Sequence, residues 1–387
     1  MTTHPHRCPT TAGSAMMWTL ATTYRRAWLA GQAVVCTDHL LLELGRRLPS
    51  LKEQFAPLAA LITDRVGQGW LGDDEPVAAV PAATDSEREA SAILREAGWR
   101  AREPRLRSSA TPPPAWSAAV WEVTRSALAD AGSVGVTDAH AMHLVPGLLA
   151  DPGHRSRRLL DAVNLDAERV MARMPVGVSV REAGEPIDDL VKTLKLLGVL
   201  DSRYPLPARI AGGLLRVARP RPEGPVLRVV EQEALRAAVR LGAPEIGPEH
   251  LLVGITAVHE QLGIAGERLR SDLVPANRAG ELLTRRGIDG PSLRRQLALS
   301  AAHGGGAPGL RAAIDDPARS PSTTAALDRA ERYGTGSRWT GTSHLLLALL
   351  TESGEVIDPL LNAMRVAAGK LREEATRDVG HPGPRGT

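Results

Sequence analysis

Four histidines stand at the head of aliphatic runs: Thr37-Asp-His-Leu-Leu-Leu-Glu-Leu44, Met142-His-Leu-Val-Pro-Gly-Leu-Leu149, Ile246-Gly-Pro-Glu-His-Leu-Leu-Val-Gly-Ile255 and Thr342-Ser-His-Leu-Leu-Leu-Ala-Leu-Leu350. An imidazole can ligate a metal, move a proton or accept a hydrogen bond, and the carboxylates of Asp38 and Glu249 beside two of them could hold a cation. The rest of the chemistry is sparse. His140 and His143 form a lone His-x-x-His without a carboxylate triad or cysteines nearby, which is weak evidence for metal. Gly304-Gly-Gly-Ala-Pro-Gly309 satisfies Gly-x-Gly-x-x-Gly, but it follows no strand and Pro308 interrupts it, so it reads as a flexible loop. No Gly-x-Ser-x-Gly elbow, His-Glu-x-x-His or Cys/His nucleophile pattern occurs. Cys36 precedes a helix start, which would lower its pKa, but its neighbours Val34 and Val35 point to burial. One structural job for His39, His143, His250 and His344 explains their recurrence better than four metal sites: packing near a helix start with a ring nitrogen hydrogen-bonded locally. The sequence therefore predicts no catalytic residue, no metal and no cofactor.

Composition narrows the field further. At 387 residues the chain is long enough for two or more domains. With 43% hydrophobic and 24% charged residues it is a globular composition. Aromatics are 3%, with Phe55 the single phenylalanine, so the core must come from Leu, Ala, Val and Ile. That suits packed helices better than sheets. A net charge of +3 is small for this length and, with few aromatics to stack on bases, argues against a nucleic-acid partner. Two cysteines, Cys8 and Cys36, make no disulfide framework and suggest a reducing compartment. No run of 18 apolar residues is present, so no membrane span is expected, and the first residues lack the apolar stretch of a signal peptide. A cytoplasmic protein is the expectation.

The elements that must position the histidines recur in order. Apolar residues at helical spacing cover 16–30, Gly31 stops them, and Thr37 is the expected N-cap of a helix from Asp38 to Leu44. Helices over 51–66 and 86–98 and a Pro-rich linker at 105–114 follow. Trp116 to Ala131 is helical with Gly132 as its stop, and Val230, Ala234, Ala237, Ala238 and Leu241 form a stripe stopped by Gly242. A fourth start runs from Thr323 to Gly334, and a last helix from Val356 to Val379. Pro146 either kinks the second histidine-bearing helix or sits in the first turn of one that begins near His143. From stop glycine to histidine the gaps are 8, 11, 8 and 10 residues (Gly31–His39, Gly132–His143, Gly242–His250, Gly334–His344), which argues for an internal repeat. The expected organisation is a disordered tail at 1–15, domains at 16–175 and 223–380, a linker with one helix at 176–222, and a tail at 381–387.

The unit of helix, glycine, short loop and Glu-His-Leu-Leu resembles the Clp repeat, which builds the N-terminal (Clp R) domain of the Clp ATPases. The likeness is strongest from Glu231-Gln-Glu-Ala-Leu-Arg-Ala-Ala-Val-Arg-Leu-Gly242 to Ile246-Gly-Pro-Glu-His250, and in the second unit it rests on His143 and Gly147-Leu-Leu149. It implies an all-α chain of four Clp-type helical repeats forming two tandem pseudo-symmetric Clp N-terminal-like domains. None of Lys52, Lys192, Lys195 or Lys370, the only lysines, lies in a Walker A context, so the chain looks like a stand-alone, actinobacterial-type protein without the AAA+ motor. In that family the domain docks adaptors and phosphorylated arginine, and in some actinobacteria cyclic peptide antibiotics. The Glu of the Glu-His pair holds the guanidinium, near helix N-termini that favour phosphate. By position that residue is Glu249, or the shorter Asp38, while Met142 and Ser343 supply no charge. The competing role for Glu249 is electrostatic support of its helix N-terminus, worth about 0.3–1 kcal/mol. The phenylalanines of the antibiotic pocket are missing. The resemblance thus implies a non-enzymatic protein or peptide recognition module, an adaptor, decoy or regulator of a Clp protease. Its partners would be that machinery or its substrates. Sequestration of a cyclic peptide natural product, a peptide-like small molecule, is the alternative.

Overall fold

A computed structural model describes residues 10–48, 75–77, 84–102, 111–172, 189–201, 224–303, 310, 316–335, 337 and 339–380. It is all-α: among the described residues there are sixteen α-helices and six two-residue strands. The chain divides into two compact units, residues 1–186 with 306–315 and residues 187–305 with 316–387. The expected helix at 51–66 and the loop at 304–309 lie outside the described residues.

The first unit runs β1 (Thr11–Ala12), α1 (Ser14–Leu29), β2 (Val34–Val35), α2 (Thr37–Arg47), α3 (Asp85–Arg100), β3 (Ala115–Trp116), α4 (Ala118–Ser133), β4 (Asp138–Ala139), a 3-10 turn (Ala141–His143), α5 (Leu144–Ala150), α6 (Arg155–Ala162) and α7 (Ala167–Ala172). Met16, Leu20, Tyr24 and Ala27 bury one stripe of α1 against Leu40, Leu41 and Leu44 of α2 and Ile93 and Leu94 of α3. The few aromatics are concentrated here, contrary to the expectation of a purely aliphatic core. The rings of Tyr24 and Trp116 lie 4.9 Å apart. The Tyr24 hydroxyl donates to the Pro114 carbonyl at 2.7 Å and the Trp116 indole to Leu94 at 3.0 Å, so burial leaves their polar ends satisfied. The strands are crossed: β1, leading into α1, pairs in parallel with β4, and β2, leading into α2, pairs in parallel with β3.

The second unit runs α8 (Asp189–Leu196), α9 (Pro225–Leu241), β5 (Glu245–Ile246), α10 (Pro248–Ile264), a 3-10 turn (Val274–Ala276), α11 (Ala279–Arg285), α12 (Gly290–His303), β6 (Ala318–Arg319), α13 (Pro321–Gly334), α14 (Thr342–Glu352), α15 (Gly354–Ala363) and α16 (Ala368–Gly380). Here β5 pairs with β6. Helices α10 and α14 are buried nearly all round; residues 250–258 and 342–350 are buried without a break. A helix apolar on every face must be central, and the long Leu runs are central for that reason.

Several expectations need correction. Residues 10–15 are not a free tail: the Thr11 and Gly13 amides donate to Thr137 and Ala139 at 2.9 Å, and α1 begins at Ser14. The helix expected in the linker belongs to the second unit. Its Leu190, Val191 and Leu194 are buried in that unit's core, Lys195 pairs with Glu267 at 2.8 Å, and the Arg270 amide donates to Val199 at 2.9 Å. The final helix is two, α15 and α16, broken where Arg365 takes φ 60°. Pro146 lies in the first turn of α5, where its missing N–H costs nothing.

The stop glycine of α4 is Gly135 (φ 77°), not Gly132, which is still helical. Gly31, Gly135 and Gly242 then each precede their histidine by 8 residues, and residue 336, 8 before His344, is likewise glycine in the sequence. Gly242 ends α9 at φ 67°, donating its amide to Val239 at 3.0 Å. A Cβ in that left-handed conformation costs about 1 kcal/mol. Gly242→Ala is therefore expected to lower the stability of the second unit by about that amount, readable as a shift in urea midpoint without change in slope.

Candidate functional site

The four histidines occupy one geometry. In each case Nδ1 lies on the backbone N–H of the residue three before it, the helix N-cap or the start of the 3-10 turn. Cys36 donates to His39 at 3.0 Å, His140 to His143 at 2.9 Å, Gly247 to His250 at 2.8 Å and Gly341 to His344 at 3.1 Å. A ring nitrogen that accepts an N–H has its lone pair free, which places the ring proton on Nε2. Each thereby satisfies a donor that the helix itself cannot. His250 and His344 are only 3% and 4% exposed. Burial pushes the pKa of both below the ordinary histidine range, with Glu249 pulling His250 back part of the way. The helix of the first histidine is capped by Cys36, not Thr37. The Thr37 hydroxyl is buried and accepts the Ser156 amide at 3.1 Å.

Neither metal arrangement in this region is free to ligate. Cys36, Asp38 and His39 offer ligand atoms within 4.8 Å of one another. However, His39 Nδ1 is used by the Cys36 amide, and a cation is already present: Arg155, from the start of α6, places Nη2 3.2 Å from Asp38 Oδ2 and Nη1 3.5 Å from the Cys36 sulfur. In His140-x-x-His143, His140 Nδ1 accepts the Met142 amide at 3.2 Å and His143 caps the turn, so both Nδ1 atoms serve the backbone.

The residue before each histidine differentiates the four. Met142 is buried in the core and the Ser343 hydroxyl accepts the Arg278 amide at 3.0 Å. Asp38 takes the His39 amide on Oδ1 at 2.9 Å and Arg155 on Oδ2. Sequence reasoning missed Arg155, because nothing within its own segment marks it. Glu249 folds back over its own helix start, filling the space a side chain at Gly247 would need. Its Oε1 lies 3.2 Å from His250 Nδ1, a lone-pair nitrogen that cannot neutralise it. Among the described residues no lysine or arginine lies within ion-pair distance of Glu249, whose side chain is 22% exposed.

Among the described residues no helix is long and apolar enough to cross a membrane. No known family model matches the sequence, and no curated protein does.

Proposed function

We propose that this chain is a non-enzymatic recognition protein built of four Clp-type repeats, and that it takes up arginine-bearing, notably phosphoarginine-bearing, protein segments at Glu249 to regulate a Clp-type protease. One observation carries the reading. At the position before the histidine in α2, the acidic side chain holds a guanidinium, that of Arg155. At the same position in α10 the acid is kept, but among the described residues no lysine or arginine accompanies it. A carboxylate at a helix start, partly exposed and without a cationic partner, suits a planar guanidinium from another molecule, and the helix N-terminus beside it suits an attached phosphoryl group. The crossed strands and the four identical histidine caps support the repeat reading.

Calorimetry with a short peptide carrying phosphoarginine, and with the same peptide unphosphorylated, tests it. Binding is expected at the second unit, with Glu249→Ala weakening it at least about 10-fold, the loss of one charge-assisted contact, and Asp38→Ala leaving it unchanged. Glu249→Ala itself is expected to cost only about 0.5 kcal/mol of stability. A wild-type protein that takes up neither peptide at millimolar concentration ends the proposal.

A further inference from the structure

Arg155 and Val356 stand at equivalent places in the two units. His143 and His344 are 201 positions apart (344 − 143), and so are Asn164 (φ 54°) and Arg365 (φ 60°), the two left-handed residues other than glycine among those described. Between these points the pattern is shared. Leu159 and Leu160 are buried as Leu360 and Leu361 are, and Leu165 donates to Leu160 at 3.0 Å as Val366 does to Leu361 at 2.8 Å. Adding 201 to 155 gives 356. The acidic positions correspond through an offset of 211, which relates Gly31 to Gly242, both left-handed, and His39 to His250, and hence Asp38 to Glu249.

We infer that this position, Arg155 in one unit and Val356 in the other, decides whether the acidic helix start is filled from within or left for a cation of another molecule. The inference rests on the reading of Glu249 given above. In the first unit the Arg155 guanidinium bridges the Asp38 carboxylate and the Cys36 sulfur with only 18% of its side chain exposed, so the site is closed by the chain's own copy of its ligand. In the second unit Val356 has no charge and is 43% exposed, and Gly247 replaces the cysteine. The occupant that the Glu249 site accepts is therefore a guanidinium on an alkyl stem, presented as Arg155 presents its own.

A reciprocal exchange tests this with N-acetyl-arginine amide as probe, followed through the backbone amide resonances of residues 36–39 and, within 247–250, of Gly247, Glu249 and His250. In the wild type only 247–250 are expected to shift. Val356→Arg, at an exposed position, should close that site and weaken binding there at least about 10-fold. Arg155→Val, or Arg155→Gln if the valine variant misfolds, should add a second response at 36–39 that Asp38→Asn removes. A folded Arg155 variant without that response, or a Val356→Arg variant that binds as the wild type does, overturns the inference. A wild type silent at 247–250 refutes the Glu249 reading alone, since the response at 36–39 in the Arg155 variants still decides whether the first site is self-filled. If both Arg155 variants misfold, phenylglyoxal labelling of the wild type decides: Arg155 should react at least about 10-fold more slowly than exposed Arg285 and speed up in Asp38→Asn, and equal labelling overturns self-filling.

Discussion

Gly254→Ala is expected to destabilise the second unit by about 2–3 kcal/mol, whereas Gly147→Ala should change the first by less than about 0.5 kcal/mol. The two glycines follow their histidines by the same 4 positions and face equivalent valines, Val230 of α9 and Val123 of α4, both pairs being 107 apart (254 − 147 and 230 − 123). A methyl group at 254 would be driven into the Val230 carbonyl oxygen, which belongs to the backbone of the neighbouring helix. It can be accommodated only by moving α9 away from α10, and that loosens a core in which Val230, Leu251, Leu252 and Ile255 are all buried. At 147 the methyl would lie 3.3 Å from the Val123 Cα, and a shift of a few tenths of an ångström relieves it. Alanine returns up to about 1 kcal/mol of helix preference at either place. At 147 that gain and the crowding cancel; at 254 the crowding wins. Amide hydrogen exchange resolved by segment separates the two outcomes, and equal losses at both glycines would show that the approach of α9 to α10 has been misjudged.

Acidification from pH 7 to pH 5.5 should weaken the second unit. His250 and His344 are held neutral by burial, with folded pKa values below the ordinary value, and neutrality is what lets Nδ1 accept the Gly247 and Gly341 amides. In the unfolded chain both titrate near about 6.5. Above that pH both states are unprotonated and the full stability is present. As the pH falls below it, the unfolded chain takes up protons that the folded state excludes, so stability is lost with falling pH until the depressed folded pKa is reached. The slope approaches about 1.4 kcal/mol per pH unit for each histidine, or about 2.7 for the two. Carboxylates, titrating near about 4, contribute little in that window. Urea titrations at half-unit intervals would measure the slope, and His250→Gln, which keeps an acceptor but cannot be protonated, should remove about half of it. A midpoint independent of pH between 7 and 5.5 would be incompatible with neutral, buried caps.

The sequence by itself determined the helical class and, to within a few residues, where the helices beside the four histidines begin, because each of these is a local matter. Glycine in the left-handed conformation, a histidine three residues inside a helix and a run of leucines act through neighbours within one or two turns, so spacing alone reveals them. Even there the choice between Gly132 and Gly135 needed the backbone angles, since two glycines three apart are equally good stops on paper. Tertiary structure decided which acidic helix start is occupied. Arg155 reaches Asp38 across 117 positions of sequence (155 − 38), and the helix that carries it is placed by the burial of Leu159 and Leu160, not by any feature of the arginine. An ion pair depends on where two backbones come to rest, and no pattern around Asp38 or Glu249 records that. Two positions that read alike as Asp-His and Glu-His therefore differ in chemistry, one paired with the chain's own guanidinium and one without a lysine or arginine partner among the described residues.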